Sequence, residues 1–219
     1  MLIRTIYKYV FLTVIFCATA NANGPASYLL NHTRLGADTW HDAHPDWDGR
    51  GVVIAVLDTG VDMGVSGLKK TSDGKVKVIG VRDFSRQGDV QLLDAERKVV
   101  DGIEYLATGE GMIRGFEALP SVPDGTPYFL GWFDEARLAN SAVNDLNLNG
   151  QTNDRFAIVT VETKAGMVAY IDLDGDDNVA DAIPVRSYEI DHQTFTFPRR
   201  TPDVDRTPLT FAMHIDESG

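Results

Sequence analysis

One cysteine, Cys17, occurs in 219 residues, and it lies inside the first 22. Those 22 residues read as a secretory signal. Arg4 and Lys8 form a basic start, Tyr9 to Cys17 an apolar core, and Ala18-Thr19-Ala20-Asn21-Ala22 a small-residue cleavage region, with cutting expected after Ala22. Long apolar runs are otherwise missing. Tyr9–Cys17 falls well short of the ~20 residues that span a bilayer, so an uncleaved anchor is the weaker reading. A lipoprotein reading of Cys17 fails because Val14-Ile15-Phe16 before it are not small. With the leader gone no disulfide can form. Stability must then come from a core, from bound ions or from further sequence. A secreted or periplasmic location is expected.

Basic residues are also scarce: 20 Lys and Arg face 32 Asp and Glu, a net charge of -12. Loss of Arg4 and Lys8 with the leader takes it to -14. Such a balance disfavours nucleic acid, and after signal removal it disfavours a membrane surface. It suits a soluble protein that binds cations.

The most informative block is Gly49-Arg50-Gly51-Val52-Val53-Ile54-Ala55-Val56-Leu57-Asp58-Thr59-Gly60-Val61-Asp62. A run of β-formers and small apolar residues ends in a carboxylate, and a turn pair follows. Such a run reads as an inner strand of a parallel sheet, buried on both faces. A carboxylate at the carboxyl end of that strand lies where open α/β sheets place their ligands. Asp62, beyond the turn, is expected to face solvent or cap local backbone.

Ahead of this block, Ala26–Leu30 suggests a short helix, and Asn31-His32-Thr33 matches a glycosylation acceptor. His41, His44 and the nearby aspartates hint at metal, but Pro45 breaks the helical face. A surface loop with Trp47 tucked against the core is the plainer reading. After it, Ser72-Asp73-Gly74-Lys75 predicts a turn leading into an alternating strand over 76–84. Residues 91–95 and 97–101 read as short strands around a turn, 128–133 as an apolar strand, and 134–141 as one or two helical turns. Residues 156–163 and 167–172 form a predicted hairpin across Lys164-Ala165-Gly166. Residues 185–190 and 194–197 are expected to extend that sheet, and 208–216 to form a last strand.

Two acidic loops bracket the hairpin. Asp145, Asn147 and Asn149 alternate along the first, which carries Gly150 at the sixth position and runs on to Asp154. Asp172, Asp174, Asp176 and Asn178 alternate along the second. Alternation lets several hard oxygens converge on one cation within a short turn, and calcium fits them better than zinc. Neither loop has the closing glutamate of an EF-hand. Solvated turns remain the alternative, since Asp, Asn and Gly favour turns without any ion. No organic cofactor is expected.

The block around Asp58, with Asp48-Gly49-Arg50-Gly51 before it, resembles the aspartate segment of the subtilisin-like serine peptidases. Aspartic peptidases carry the same Asp-Thr-Gly triplet, but on an all-β fold with a second triplet, and no second one occurs here. Within the subtilisin-like family the chain most resembles the tripeptidyl-peptidase-II-like members. They carry a long insert between their aspartate and histidine segments. Asp73-Gly74-Lys75-Val76-Lys77-Val78-Ile79 and Tyr170–Asp176 look like that group too. The resemblance implies peptide-bond hydrolysis by an Asp/His/Ser triad, with Asp58 as the aspartate that holds the histidine in its productive tautomer. It also implies a peptide or protein substrate.

The family's His-Gly-Thr-His and Gly-Thr-Ser-Met strings do not occur. His214 reads as a sheet residue, and Ser218 has no helix to sit on. The expectation is therefore the amino-terminal part of a secreted peptidase, inactive alone. The alternative is a non-catalytic calcium- or protein-binding module on a peptidase-derived scaffold. The expected fold class is α/β, an incomplete subtilisin-like parallel sheet with a β-rich insert. Its expected divisions are a signal over 1–22, a lead-in over 23–48, the start of the α/β domain over 49–84, the insert with both acidic loops over 85–207, and a returning strand over 208–219. An incomplete parallel sheet would leave an apolar edge, so self-association is expected.

Overall fold

A computed structural model describes residues 33–216 apart from 121, 123–124, 142 and 201–206. The expected signal, the Ala26–Leu30 helix and the Asn31 acceptor lie outside the described residues. No described helix is long and apolar enough to cross a membrane. The chain divides into two units, before and after the Leu57–Asp58 bond.

In the first unit, helix α1 spans Ala37–Ala43. Gly36 enters it in the left-handed region, φ 70°. Trp40, His44 and Trp47 cluster with ring centroids 4.7 to 5.8 Å apart; His44 and Trp47 stack, and Trp40 is tilted against both. Trp47 is 67% exposed, so it is not tucked into a core as its apolar ring suggested. It finds neighbouring rings instead. Val52 to Leu57 belongs to no strand or helix, and its aliphatic side chains are exposed. This corrects the expectation of a buried inner strand. An inner strand needs a ladder on each side, and none is offered among the described residues.

The second unit is built on a seven-stranded sheet. Its strands are β1 (Leu93–Val100), β2 (Ile103–Ala107), β3 (Met112–Ile113), β4 (Tyr128–Asp134), β5 (Arg155–Thr163), β6 (Gly166–Ile171) and β7 (Pro184–Val185). Their order is β3-β2-β1-β4-β5-β6-β7, and every paired neighbour is antiparallel. The single parallel contact among the described residues is an isolated bridge, Arg114 to Asn178. The parallel sheet expected from the sequence is not seen; the fold is a mostly antiparallel sheet with few helices.

The hairpin of β5 and β6 is as expected, with Thr163 opposite Gly166. Both faces of this pair are covered. Tyr128, Leu130, Ala157, Val159, Val161, Val168 and Tyr170 face one core. Ile158, Ala169, Ile171 and Val185 face another, packed by Leu92, Phe195, Met213 and Ile215. Burial on both sides explains the near-continuous apolar run of β5, a pattern usual for parallel strands but here produced by loops folded over the second face. Pro184 sits in the edge strand, where its missing N–H costs no ladder bond.

Several boundaries differ from the sequence reading. Residues 93–100 form one strand, and the turn falls at Asp101-Gly102, with φ 50° and 80°. That pair matches the left-handed geometry of a two-residue hairpin loop. Residues 76–84 form no strand beyond the bridge of Val76 to Lys70, though Thr71 and Lys75 close the expected turn. Helix α2 (Ser66–Lys69) precedes it. Tyr188–Asp191 is a short helix, α3, not a strand. Strands β8 (Phe195–Thr196) and β9 (Thr210–Phe211) pair with each other in a separate two-stranded sheet. The last strand is thus far shorter than 208–216.

Candidate functional site

Asp58 is exposed, and its carboxylate turns back on its own chain. Oδ1 accepts from the Thr59 N–H at 2.7 Å and from the Thr59 hydroxyl at 3.4 Å. Four residues on, Asp62 does cap backbone, locally and at long range. Its Oδ1 accepts from Gly64 N–H at 2.8 Å and from Thr210 N–H at 3.1 Å. Met63 N–H donates to Thr210 C=O at 3.0 Å. The loop after Asp58 is therefore pinned to β9. Replacing Asp62 by alanine removes the one oxygen that accepts from two N–H groups at a half-buried site, and the expected cost is about 1–2 kcal/mol. Amide exchange at Thr210 should quicken; unchanged protection there would show that the clasp contributes nothing.

Neither described histidine of this unit bonds Asp58. His214 lies after β9, outside any strand. Its Nδ1 is 3.5 Å from Glu189 Oε2, and Glu189 also pairs with Arg82. Burial pushes the Glu189 carboxyl up, but backbone N–H donation and the Arg82 guanidinium outweigh it and hold the group below its ordinary range. His192 ends α3, donating its N–H to Tyr188 C=O at 2.8 Å, and its ring meets Tyr188 edge-on. Ser187 accepts from Ile215 N–H at 2.8 Å and donates to Ile215 C=O at 3.3 Å. Its hydroxyl is a strap across two segments, so a substitute Ser187–His214–Glu189 relay has no free nucleophile.

The first acidic loop is organised by hydrogen bonds. Asp145 accepts from the N–H groups of Asn149 and Gly150, both at 3.0 Å. Asn147 and Asn149 donate their amides to Asp154 Oδ2 at 2.9 and 2.6 Å. Beneath the loop lies Glu135, a fully buried carboxylate that the sequence reading missed. It accepts from Leu146 N–H and Asp154 N–H, near the two ends of the loop. Burial pushes its carboxyl up, against the pull of those two donors.

The second loop brings three carboxylates together. Oxygens of Asp172, Asp174 and Asp176 lie within 4.8 Å of one another, the one such convergence of acidic, histidine or cysteine groups among the described residues. Asp172 is only 2% exposed and accepts from the N–H groups of Gly175, Asp176 and Asp177. Burial, with Asp174 beside it, pushes its carboxyl up to about 7. Asn178 points elsewhere: its Oδ1 accepts from Ala180 N–H at 3.1 Å.

Arg200 joins the two loops. Its backbone N–H donates to Asn147 C=O at 3.0 Å, and its guanidinium bonds Asp174 C=O and lies 3.0 Å from Asp174 Oδ2. One residue thus ties together the two acidic loops that bracket the hairpin, by its backbone N–H at the first and its guanidinium at the second. The only signal for it was a basic pair, Arg199-Arg200, in an acidic chain.

No family model matches the chain, and no solved structure matches it. Curated relatives do. Tripeptidyl-peptidase 2 of Oryza sativa subsp. japonica is 41% identical over 81 residues, 37% of this chain and 6% of the relative. Tripeptidyl-peptidase 2 of Arabidopsis thaliana is 40% identical over 85 residues, 39% of this chain and 6% of the relative. Pyrolysin of Pyrococcus furiosus is 28% identical over 168 residues, 69% of this chain and 12% of the relative. The chain spans a small part of each. Over those stretches it is similar to tripeptidyl-peptidase 2 and to pyrolysin.

Proposed function

We propose that this chain is the amino-terminal portion of a secreted or periplasmic subtilisin-like serine endopeptidase, to which it contributes Asp58 as the triad aspartate. The observation that carries the reading is the kinship with tripeptidyl-peptidase 2 and pyrolysin, together with Asp58 at the end of an aliphatic run and before a turn. In such an enzyme the aspartate fixes the tautomer of the histidine and stabilises the imidazolium that forms as serine attacks the peptide carbonyl. Loss of the histidine or the serine from such a site costs about 10⁶ in rate. With Asp58 bonded to Thr59 and both described histidines of its unit engaged elsewhere, the 219 residues alone should not hydrolyse peptides. In this reading the run before Asp58 becomes an inner parallel strand once further chain flanks it. The substrate would be a peptide or protein, and neither nucleic acid nor membrane is a partner. Reading the coding region past Gly219 tests this. In-frame His-Gly-Thr-His and Gly-Thr-Ser-Met segments are expected; a stop codon directly after Gly219 would contradict it.

A second reading, a calcium-binding module on the same scaffold, is favoured by the Asp172 loop. Three carboxylates within 4.8 Å offer the hard oxygens that calcium takes, and a cation would relieve their repulsion. Asp172, Asp174 and Asp176 would hold it. Asp145, Asn147 and Asn149 are spent on backbone and on Asp154, which makes the first loop the poorer candidate.

The sign of the pH dependence follows from Asp172. Its folded carboxyl is raised from the ordinary 3.8 to about 7, so the folded state holds this proton more tightly than the unfolded one. The resulting stability is fully present below about pH 4 and is lost as pH rises through about 7. In chelator, the Asp172 contribution should therefore lower the melting temperature between pH 5.5 and 8. Calcium at about 1 mM, the range of extracellular modules, should restore about 1 kcal/mol at pH 8 and little at pH 5.5. Melting curves that ignore calcium at both pH values would remove this reading.

A further inference from the structure

We propose that Gly64 is a positioning residue for Asp58: it lets the loop after the aspartate dock on β9, and the β8–β9 ribbon thereby fixes where the carboxylate stands. This rests on the reading of Asp58 as the triad aspartate. Asp62 and Thr210 are 148 positions apart in sequence. Two hydrogen bonds join the loop to β9, Thr210 N–H to Asp62 Oδ1 and Met63 N–H to Thr210 C=O. A third contact depends on a missing side chain. A β-carbon on Gly64 would stand 2.6 Å from Thr210 Oγ1, 3.0 Å from Asp62 Oδ1 and 3.1 Å from Thr210 Cβ. Only glycine allows the two backbones to approach this closely. Gly64 is not in the left-handed region, so what it supplies is space rather than backbone freedom.

Thr210 is itself held from its other side. Its Oγ1 is hydrogen-bonded to Thr196 Oγ1 across the ribbon, at 2.9 Å. Beside that pair Phe195 stacks on Phe211, with ring centroids 5.8 Å apart, and Phe197 meets Phe156 of β5 at 4.6 Å. Phe156 and Phe197 are buried, so the ribbon is anchored to the main sheet. Asp58 to Val61 are exposed, and Met63 is the first buried residue after the aspartate. The clasp is therefore the first fixed point on that side of Asp58. A carboxylate that holds an imidazole in one tautomer and orientation needs its backbone fixed on both sides. The strand expected of residues 52–57 in the completed enzyme supplies one side, and the docking of Gly64 on β9 supplies the other.

The test compares the 219-residue chain with Gly64→Ala, with Gly64→Ala/Thr210→Ala, and with Gly67→Ala as control, since nothing lies within 4 Å of a β-carbon at Gly67. Relaxation order parameters at the Thr59, Gly60 and Val61 amides should fall from about 0.85 to below about 0.6 in Gly64→Ala. They should recover for the most part in the double variant, where the closest contact is gone, and stay unchanged in the control. Asp62→Ala loosens the clasp from its other side and should lower the same order parameters, which covers a Gly64→Ala chain that fails to fold. In the peptidase encoded past Gly219, Gly64→Ala should lower kcat about 100-fold with KM little changed, and Thr210→Ala should restore most of it. Order parameters at 59–61 that ignore both Gly64→Ala and Asp62→Ala would overturn the proposal. So would an equal loss of order throughout the second unit, or a loss of kcat that Thr210→Ala leaves in place. A coding region that stops at Gly219 sinks the peptidase reading alone, and the order parameters still decide whether Gly64 holds the Asp58 loop.

Discussion

Gly115→Ala should destabilise the second unit by about 3 kcal/mol or more. Gly115 has φ 83°, and a side chain there is strained by about 1–2 kcal/mol whatever the space. Space is also lacking: a β-carbon would stand 2.0 Å from Asn178 Oδ1 and 2.8 Å from Ala180 N. The second of these is backbone, so relief requires moving the chain, with an overpacking cost of about 1–3 kcal/mol. The junction at stake carries two backbone hydrogen bonds and a core residue. Arg114 N–H donates to Asp177 C=O, Val179 N–H donates to Arg114 C=O, and Val179 is fully buried. The change would therefore loosen the Asp172 loop as well as β3. Gly74→Ala is the control. Its φ is also 83°, but nothing lies within 4 Å of its missing β-carbon, so only the conformational cost applies. Urea unfolding of both variants decides the matter. Equal losses would mean that the close approach at Asn178 is relieved cheaply.

Glu135→Ala is the second large effect, expected at about 3 kcal/mol or more. The carboxylate is fully buried and accepts from Leu146 N–H and Asp154 N–H. Alanine leaves both donors without their acceptor, and each such buried loss costs about 1–3 kcal/mol. It also opens a void below the loop. Glu135→Gln separates the contributions. One carboxamide oxygen can keep the Leu146 bond, and the burial of a charge is avoided, so the loss should be about half that of alanine. If alanine and glutamine behave alike, the carboxylate does not brace the loop.

How much was legible in the sequence follows from how local each signal is. Strands β4, β5 and β6 were readable because their apolar runs and the Lys164-Ala165 turn lie within one stretch of chain. The Asp172 loop was readable because its alternating carboxylates converge within seven residues. Residues 52–57 carry the same kind of pattern, but propensity cannot supply a neighbouring strand. Glu135 and Arg200 were hidden for a related reason. Each acts on loop backbone distant in sequence, and no spacing rule connects Glu135 to Leu146 or Arg200 to Asn147 and Asp174. The turn at Asp101-Gly102 was misplaced although its residues are those a tight hairpin favours. Glu96, which stood between the two stretches read as separate strands, sits in an exposed part of the single strand β1.

Hydrolysis by the purified 219-residue chain is the most direct measure of whether Asp58 belongs to a site that other sequence must complete. The assay takes casein and a short peptide, with and without a serine-directed inhibitor, for the chain and for Asp58→Asn. The account predicts background rates in all cases, unchanged by the inhibitor or by the substitution. Hydrolysis that both the inhibitor and Asp58→Asn abolish would contradict it, because these residues would then have assembled a complete triad of their own.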